Sequence, residues 1–163
     1  MPMVPFYEVF PDLAFKETRC ALIQSWKGLP DGEYAFIEYY CDELGCDCRR
    51  VFIIVISRDT AGETLATINY GWESAEFYVE WMGDDTDIES LKGPALAPPP
   101  AQQTKLAPYL LELYKEAALE DPRYINRLRK HYKMFKRAIE NGHRLQNRSK
   151  ARSGKKYRKQ RKK

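Results

Sequence analysis

Val51-Phe52-Ile53-Ile54-Val55-Ile56 is the longest unbroken aliphatic and aromatic run in the chain, and five of its six residues are β-branched. Such a run is far too short to cross a bilayer. Apolar at both parities, it predicts a strand buried on both faces and therefore central in a sheet. Glu33 to Tyr40, on its N-terminal side, follows the turn signal Pro30-Asp31-Gly32 and reads as a second strand. Further out, Phe6 to Phe10 and Arg19 to Trp26 are apolar-rich and bounded by Pro5, Pro11 and Gly28, so strands are expected there too. On the C-terminal side come Thr64 to Trp72 and Glu76 to Trp81. In the last, Phe77, Val79 and Trp81 alternate with Glu76, Tyr78 and Glu80, which predicts a half-buried strand. Separations of roughly ten residues between these runs predict an antiparallel meander of about five to six strands.

Beyond residue 90 the pattern changes. Gly83 to Glu89 reads as an acidic loop, with four carboxylates but without the glycine and terminal-glutamate spacing of a calcium-binding EF-hand. Residues 91–103 carry Pro94, Pro98, Pro99 and Pro100 and read as an extended connector. Leu106, Leu110, Leu113 and Ala117 then recur at helical spacing, with a cap near Thr104. Asp121-Pro122 is an N-cap followed by proline at the first helical position, and Ile125, Leu128, Tyr132, Phe135 and Ile139 stripe a second helix. Asn141-Gly142 reads as its stop. The expected fold is α+β: a domain over 1–142, with strands in 1–90, the connector at 91–103 and a helix pair in 104–142. A disordered basic tail is expected over 143–163.

Charge is divided along the chain. Residues 1–100 hold 7 basic and 18 acidic side chains, whereas residues 101–163 hold 20 basic and 5 acidic. The net charge of +4 conceals this dipole. Residues 144–163 alone contain eleven Lys or Arg and no carboxylate. A mobile polycation of this kind neutralises phosphates with counterion release, and an exposed Tyr157 could stack on an unpaired base. The residues assigned to a polyanion are Arg148, Lys150, Arg152, Lys155, Lys156, Tyr157, Arg158, Lys159 and Arg161, with RNA or the ribosome expected ahead of DNA. No Lys or Arg precedes Lys16 and no apolar stretch follows the start, so a soluble cytoplasmic protein without a membrane partner is expected.

Three of the four cysteines fall in one turn, Tyr40-Cys41-Asp-Glu-Leu-Gly-Cys46-Asp-Cys48-Arg-Arg50. Cys46 and Cys48 share a parity, so extended chain sends both sulfurs to one face, and Gly45 allows Cys41 to fold back towards them. Three thiolates could then converge on a soft tetrahedral ion such as zinc. The alternative is that Cys41 continues a buried strand face and the other two are ordinary turn residues. A fourth ligand has no local candidate; Cys20, Asp42, His131 or His143 could supply one only through the fold.

Ser153-Gly-Lys-Lys-Tyr-Arg-Lys159 resembles the second half of a SEC-C motif, a short zinc-binding module best known at the C-terminus of the bacterial preprotein-translocase ATPase. Ser153, Gly154, Lys155, Lys156 and Tyr157 match its form in order. Its ligand positions are not kept: Ser149 and Ala151 stand for the first Cys pair, Gln160 and Arg161 for the second pair. The body, through its Tyr40-Cys41…Cys46-Asp-Cys48-Arg-Arg-Val51 turn and Arg129-Lys-His-Tyr-Lys133, is similar to the large domain of SEC-C-bearing bacterial proteins. The resemblance implies a cytoplasmic bacterial accessory protein whose tail docks on proteins, ribosomes or nucleic acid. It carries over no catalytic residue.

No phosphate-binding glycine loop, nucleophile elbow or zinc-protease motif is present. The expected function is therefore a non-enzymatic binding module for a polyanion. One alternative is a protein adaptor using an aromatic sheet surface, drawn from Tyr70, Trp72, Phe77, Tyr78 and Trp81, with Tyr78 best placed to be exposed. The other is an enzyme in which folding brings carboxylates to His131 in a pocket.

Overall fold

A computed structural model describes the backbone of residues 2–83 and 87–160, and side chains as far as residue 152. The architecture is α+β, an antiparallel six-stranded sheet with helices, as the sequence pattern requires. The strands are β1 (Met3–Pro5), β2 (Arg19–Ile23), β3 (Gly32–Cys41), β4 (Arg50–Ser57), β5 (Thr64–Gly71) and β6 (Ala95–Leu96). Their order is β1-β3-β4-β5-β6, and β2 shares the outer edge of β3 with β1. The Val51–Ile56 run lies in β4, central in the sheet, paired with β3 through Ile54↔Ile37 and with β5 through Ile53↔Ile68. It is not buried on both faces: Val51, Ile53 and Val55 are buried, whereas Phe52, Ile54 and Ile56 are half-buried.

Helices α1 (Phe6–Val9) and α2 (Pro11–Glu17) precede β2; α3 (Ala75–Met82) and α4 (Ile88–Lys92) lie between β5 and β6; α5 (Ala107–Tyr114) and α6 (Pro122–Gln160) follow. One π turn, Lys115–Leu119, extends α5. Alternation along the strands puts Tyr34, Phe36, Glu38 and Tyr40 of β3 with Val51, Ile53 and Val55 of β4 on one buried face. Leu110, Leu113 and Tyr114 of α5, with Tyr124, Leu128, Tyr132 and Phe135 of α6, are buried in the same core. Fully removing each such Leu or Phe from water contributes about 1.5–3 kcal/mol. Phe36 meets Tyr114 edge-on at 5.1 Å between ring centroids. Asp121 begins α6 as expected: its carboxylate accepts from Arg123 N–H at 2.9 Å and pairs with Arg19 at 2.7 Å.

Four further expectations are corrected. Phe6–Phe10 is α1 and its cap, not a strand: Pro5 sets the entry, and the Phe6 and Phe10 rings meet tilted, one turn apart, at 5.0 Å. Glu76–Trp81 lies in α3 because Ser74 caps it, its Oγ accepting from Phe77 N–H at 3.3 Å. Tyr78 is thereby buried, and its hydroxyl donates to the Arg49 carbonyl at 2.8 Å, so it belongs to no exposed aromatic surface. The 91–103 segment is not wholly irregular, since it holds the end of α4 and the edge strand β6. Of the acidic loop, residues 84–86 lie outside the described residues.

The fourth correction concerns the tail. Asn141-Gly142 does not stop α6, whose backbone is helical to Gln160. Glycine ends a helix by taking a left-handed conformation, and Gly142 is not among the positive-φ glycines. Inside a helix glycine costs only about 1 kcal/mol against alanine, and the Arg, Lys, Gln and Leu that follow are good helix formers. A Cβ on Gly142 would meet nothing within 4 Å. Gly142→Ala should therefore raise protection of amides 143–152 against hydrogen exchange about fourfold to fivefold, matching a gain of about 0.8–1.0 kcal/mol. Unchanged protection would mean that Gly142 is not held in helix.

Candidate metal centre, histidine clamp and basic helix

The turn between β3 and β4 draws Cys41, Cys46 and Cys48 together, as their spacing suggested. Their sulfurs lie within 4.8 Å of one another, so the group could hold a metal ion. Gly45 supplies the tight turn at φ 74°, and Cys46 N–H donates to the Glu43 carbonyl at 3.3 Å. Cys41 and Cys48 are fully buried and Cys46 is half-buried. Burial pushes all three thiols up, partly offset at Cys41 by the Glu43 N–H and at Cys48 by the Arg50 N–H. Cys41 Sγ accepts from Glu43 N–H at 3.4 Å. A metal that displaces the thiol protons removes the desolvation penalty on free thiolates.

Helix α6 grips this turn. Lys136 Nζ donates to the carbonyls of Cys41 at 3.0 Å and Glu43 at 2.9 Å. One turn earlier, the Tyr132 hydroxyl donates to the Cys46 carbonyl at 3.4 Å and accepts from Arg49 N–H at 3.3 Å. The cysteine turn and the basic helix are thus mechanically one unit. None of the four fourth-ligand candidates joins the thiols. Cys20 is exposed on β2, His143 is exposed and bonded to Asn147 at 2.9 Å, and Asp42 is outside the group.

His131 is committed elsewhere. Its Nδ1 lies 2.7 Å from Glu38 Oε2 and its Nε2 2.6 Å from Glu17 Oε2. The ring is 1% exposed, Glu38 5%, and Phe6 stacks on the imidazole at 4.2 Å. Tyr40 donates a further hydrogen bond to Glu38 at 2.8 Å. A carboxylate only accepts, so a ring N–H at each nitrogen satisfies both partners at once. The void beside it, lined by Phe6, Tyr7, Ala14, Thr18, Ile37 and Glu38, measures about 10 Å³, room for at most one water. Folding does bring carboxylates to His131, but what they build is a clamp joining α2, β3 and α6. Two residues in it, Glu17 and Glu38, were not legible as partners in the sequence; Glu38, a carboxylate at a core parity of β3, was the one available signal.

The charge division falls at the start of α6. Residues 1–121 hold 9 basic and 22 acidic side chains; residues 122–163 hold 18 basic and only Glu140 as an acid. On α6 the spacing 130, 133, 137, 144, 148, 152 keeps one helix face, opposite the buried Leu128, His131 and Phe135. All six, Lys130, Lys133, Arg137, Arg144, Arg148 and Arg152, are exposed. Lys150 points off this stripe. Lys155 and Lys159 continue the same spacing on the helical backbone. The side chains of Lys155, Lys156, Tyr157, Arg158 and Lys159 lie outside the described residues, as does Arg161 altogether.

No helix among the described residues is long and apolar enough to cross a membrane. Compared with family models, curated proteins and solved structures, the chain matches none.

Proposed function

We propose that this protein is a binding module for RNA, docking through the exposed cationic face of α6, and that Cys41, Cys46 and Cys48 hold zinc. The observation that carries the reading is the stripe itself. Six described cations recur every three, four or seven residues over about 33 Å of helix. A core-packing helix does not need a charged face that continues past its last core residue, Ile139. The stripe presents cations at the spacing of helical neighbours, about 5–6 Å, to a phosphate chain, while the acidic body behind it repels one. RNA is preferred because Tyr157 lies among the cations and can stack on an unpaired base. The SEC-C-like Ser153–Lys159 segment belongs to this docking element, and the setting assigned is the bacterial cytoplasm. Zinc would pin the turn that Tyr132 and Lys136 grip, and so hold the base of the helix in place.

Position on the helix is the test. Arg144→Glu, Arg148→Glu and Arg152→Glu should each weaken binding to a single-stranded RNA about tenfold, and Lys150→Glu distinctly less, in equilibrium titrations at fixed salt. Equal losses at all four positions would remove the stripe from the argument. Tighter binding to duplex DNA than to RNA would overturn the choice of partner. For the metal, Cys46→Ser should lose bound zinc and lower stability by several kcal/mol, since structural zinc couples to folding. A metal-free wild type whose melting is unchanged by Cys46→Ser would leave three free thiols.

A second reading rests on a different surface. Ile37, Tyr39, Phe52, Ile54 and Ile56 share the sheet face turned from α5 and α6, with Leu22 83% exposed at its margin. A protein adaptor would use this aliphatic face rather than the buried Tyr70, Trp72 and Tyr78.

A further inference from the structure

Two cations beside the thiols form no ion pair among the described residues. Arg50, 8% exposed, donates from Nε at 2.9 Å and from a terminal nitrogen at 2.5 Å to Asn69 Oδ1, a neutral acceptor. Lys136 donates, among the described residues, to the two carbonyls of the turn. A desolvated cation without a counter-charge is expensive. Cys41, Cys46 and Cys48 are the groups that both cations act on, while Lys136 also acts on Asp47 and Arg50 on Tyr78.

Charge and valence then lead to the same place. Three thiolates around a divalent ion carry a net −1, and Arg50 with Lys136 carries +2, so one further negative charge completes the balance. Zinc in turn requires a fourth donor. No other His, Cys, Asp or Glu among the described residues joins the group. Cys41 and Cys48 are sealed, but Cys46 opens on a cleft of about 300 Å³ that Lys133, Lys136 and Arg137 line. Asp47 and Glu140 also border it. Asp47 is engaged by Arg49, which donates to both its carboxylate oxygens at 2.8–3.2 Å.

We infer that the Cys41–Cys46–Cys48 centre holds its divalent ion with three thiolates and takes its fourth ligand, a small anion, from outside the chain through the cationic cleft beside Cys46. This rests on the zinc reading above. It makes the centre a ligand-accepting site rather than a closed structural one. Binding is simple coordination: the anion's lone pair occupies the open position, and no proton or electron is transferred.

The test uses the full chain loaded anaerobically with cobalt(II), whose visible spectrum reports tetrahedral geometry and thiolate ligation, and titrated with sodium azide. One cobalt per chain and a saturable azide-dependent shift of its bands are expected. Lys133→Gln with Arg137→Gln, both exposed and neither bonded to the turn, should raise the half-saturating azide concentration about threefold to tenfold. Asp47→Asn should leave the response as it is. A tetrahedral cobalt spectrum indifferent to azide overturns the inference while sparing the zinc reading. An azide response that appears only in Asp47→Asn assigns the fourth position to Asp47 and also overturns it. Failure to bind cobalt removes the zinc reading and the inference together.

Discussion

Raising salt from about 50 to about 200 mM will weaken RNA binding roughly 300-fold for a single strand and about 2,000-fold for a duplex, if about six α6 cations sit on phosphates. The estimate follows from counterion release, which makes log affinity fall linearly with log salt at about 0.7 per phosphate for single strands and 0.9 for duplexes. Deleting residues 144–163 removes eleven cations and leaves 16 basic against 23 acidic side chains, a net of −7. The truncated protein keeps only the half of the stripe that lies over the core, namely Lys130, Lys133 and Arg137. Its salt slope should fall by about half and its affinity by at least about a hundredfold at low salt. Filter binding or fluorescence anisotropy across a salt series measures both. An affinity indifferent to salt, or undiminished by the truncation, would turn attention to the aliphatic sheet face and the adaptor reading.

His131→Ala is expected to cost about 3–5 kcal/mol, because it strands a buried carboxylate instead of merely deleting a contact. Glu38, 5% exposed, would keep among the described residues only the Tyr40 hydroxyl as donor. Phe6 would lose the ring it stacks on at 4.2 Å. A loss of this size is a large share of the ordinary 5–15 kcal/mol of a domain, and it should lower the melting temperature by roughly 10 °C or more. Glu17 is half-exposed, so Glu17→Gln should cost far less. Coupling separates a clamp from simple packing loss. In the His131→Ala background, Glu38→Gln should be nearly neutral or stabilising, since it removes the unpaired charge, whereas in the wild type it should destabilise. Additive losses in urea unfolding would show that the His131–Glu38 contact is not what holds α6 to the sheet.

The parts of the fold legible in the sequence were those where one local pattern had no rival. Val51–Ile56 could only be a central strand, although Phe52, Ile54 and Ile56 on its second face are half-buried rather than hidden, and Asp121-Pro122 could only open a helix. Two segments carried two periods at once. Phe6, Val9 and Phe10 fit a helix as well as Phe6–Phe10 fits a strand, and flanking prolines decided it. In Glu76–Trp81 the alternation was genuine, yet Ser74 capped a helix whose buried member is Tyr78. Gly142 misled in a third way, for a stop signal works only if the glycine takes a left-handed turn, and here good helix formers on both sides carry it through.

By itself the sequence determined the α+β class, the convergence of Cys41, Cys46 and Cys48, and the presence of a polycation at the C-terminal end. Each follows from spacing or composition within a short window, where backbone periodicity alone governs position. Tertiary structure decided the rest. It placed Glu17 and Glu38 on opposite sides of His131, set Arg50 and Lys136 beside the thiols, and turned Lys130, Lys133, Arg137, Arg144, Arg148 and Arg152 onto one exposed face. These depend on contacts between residues as much as 114 positions apart, and on α6 outlasting the core it packs against. Neither is encoded in local periodicity; both are settled only when burial fixes which face of each element is hidden.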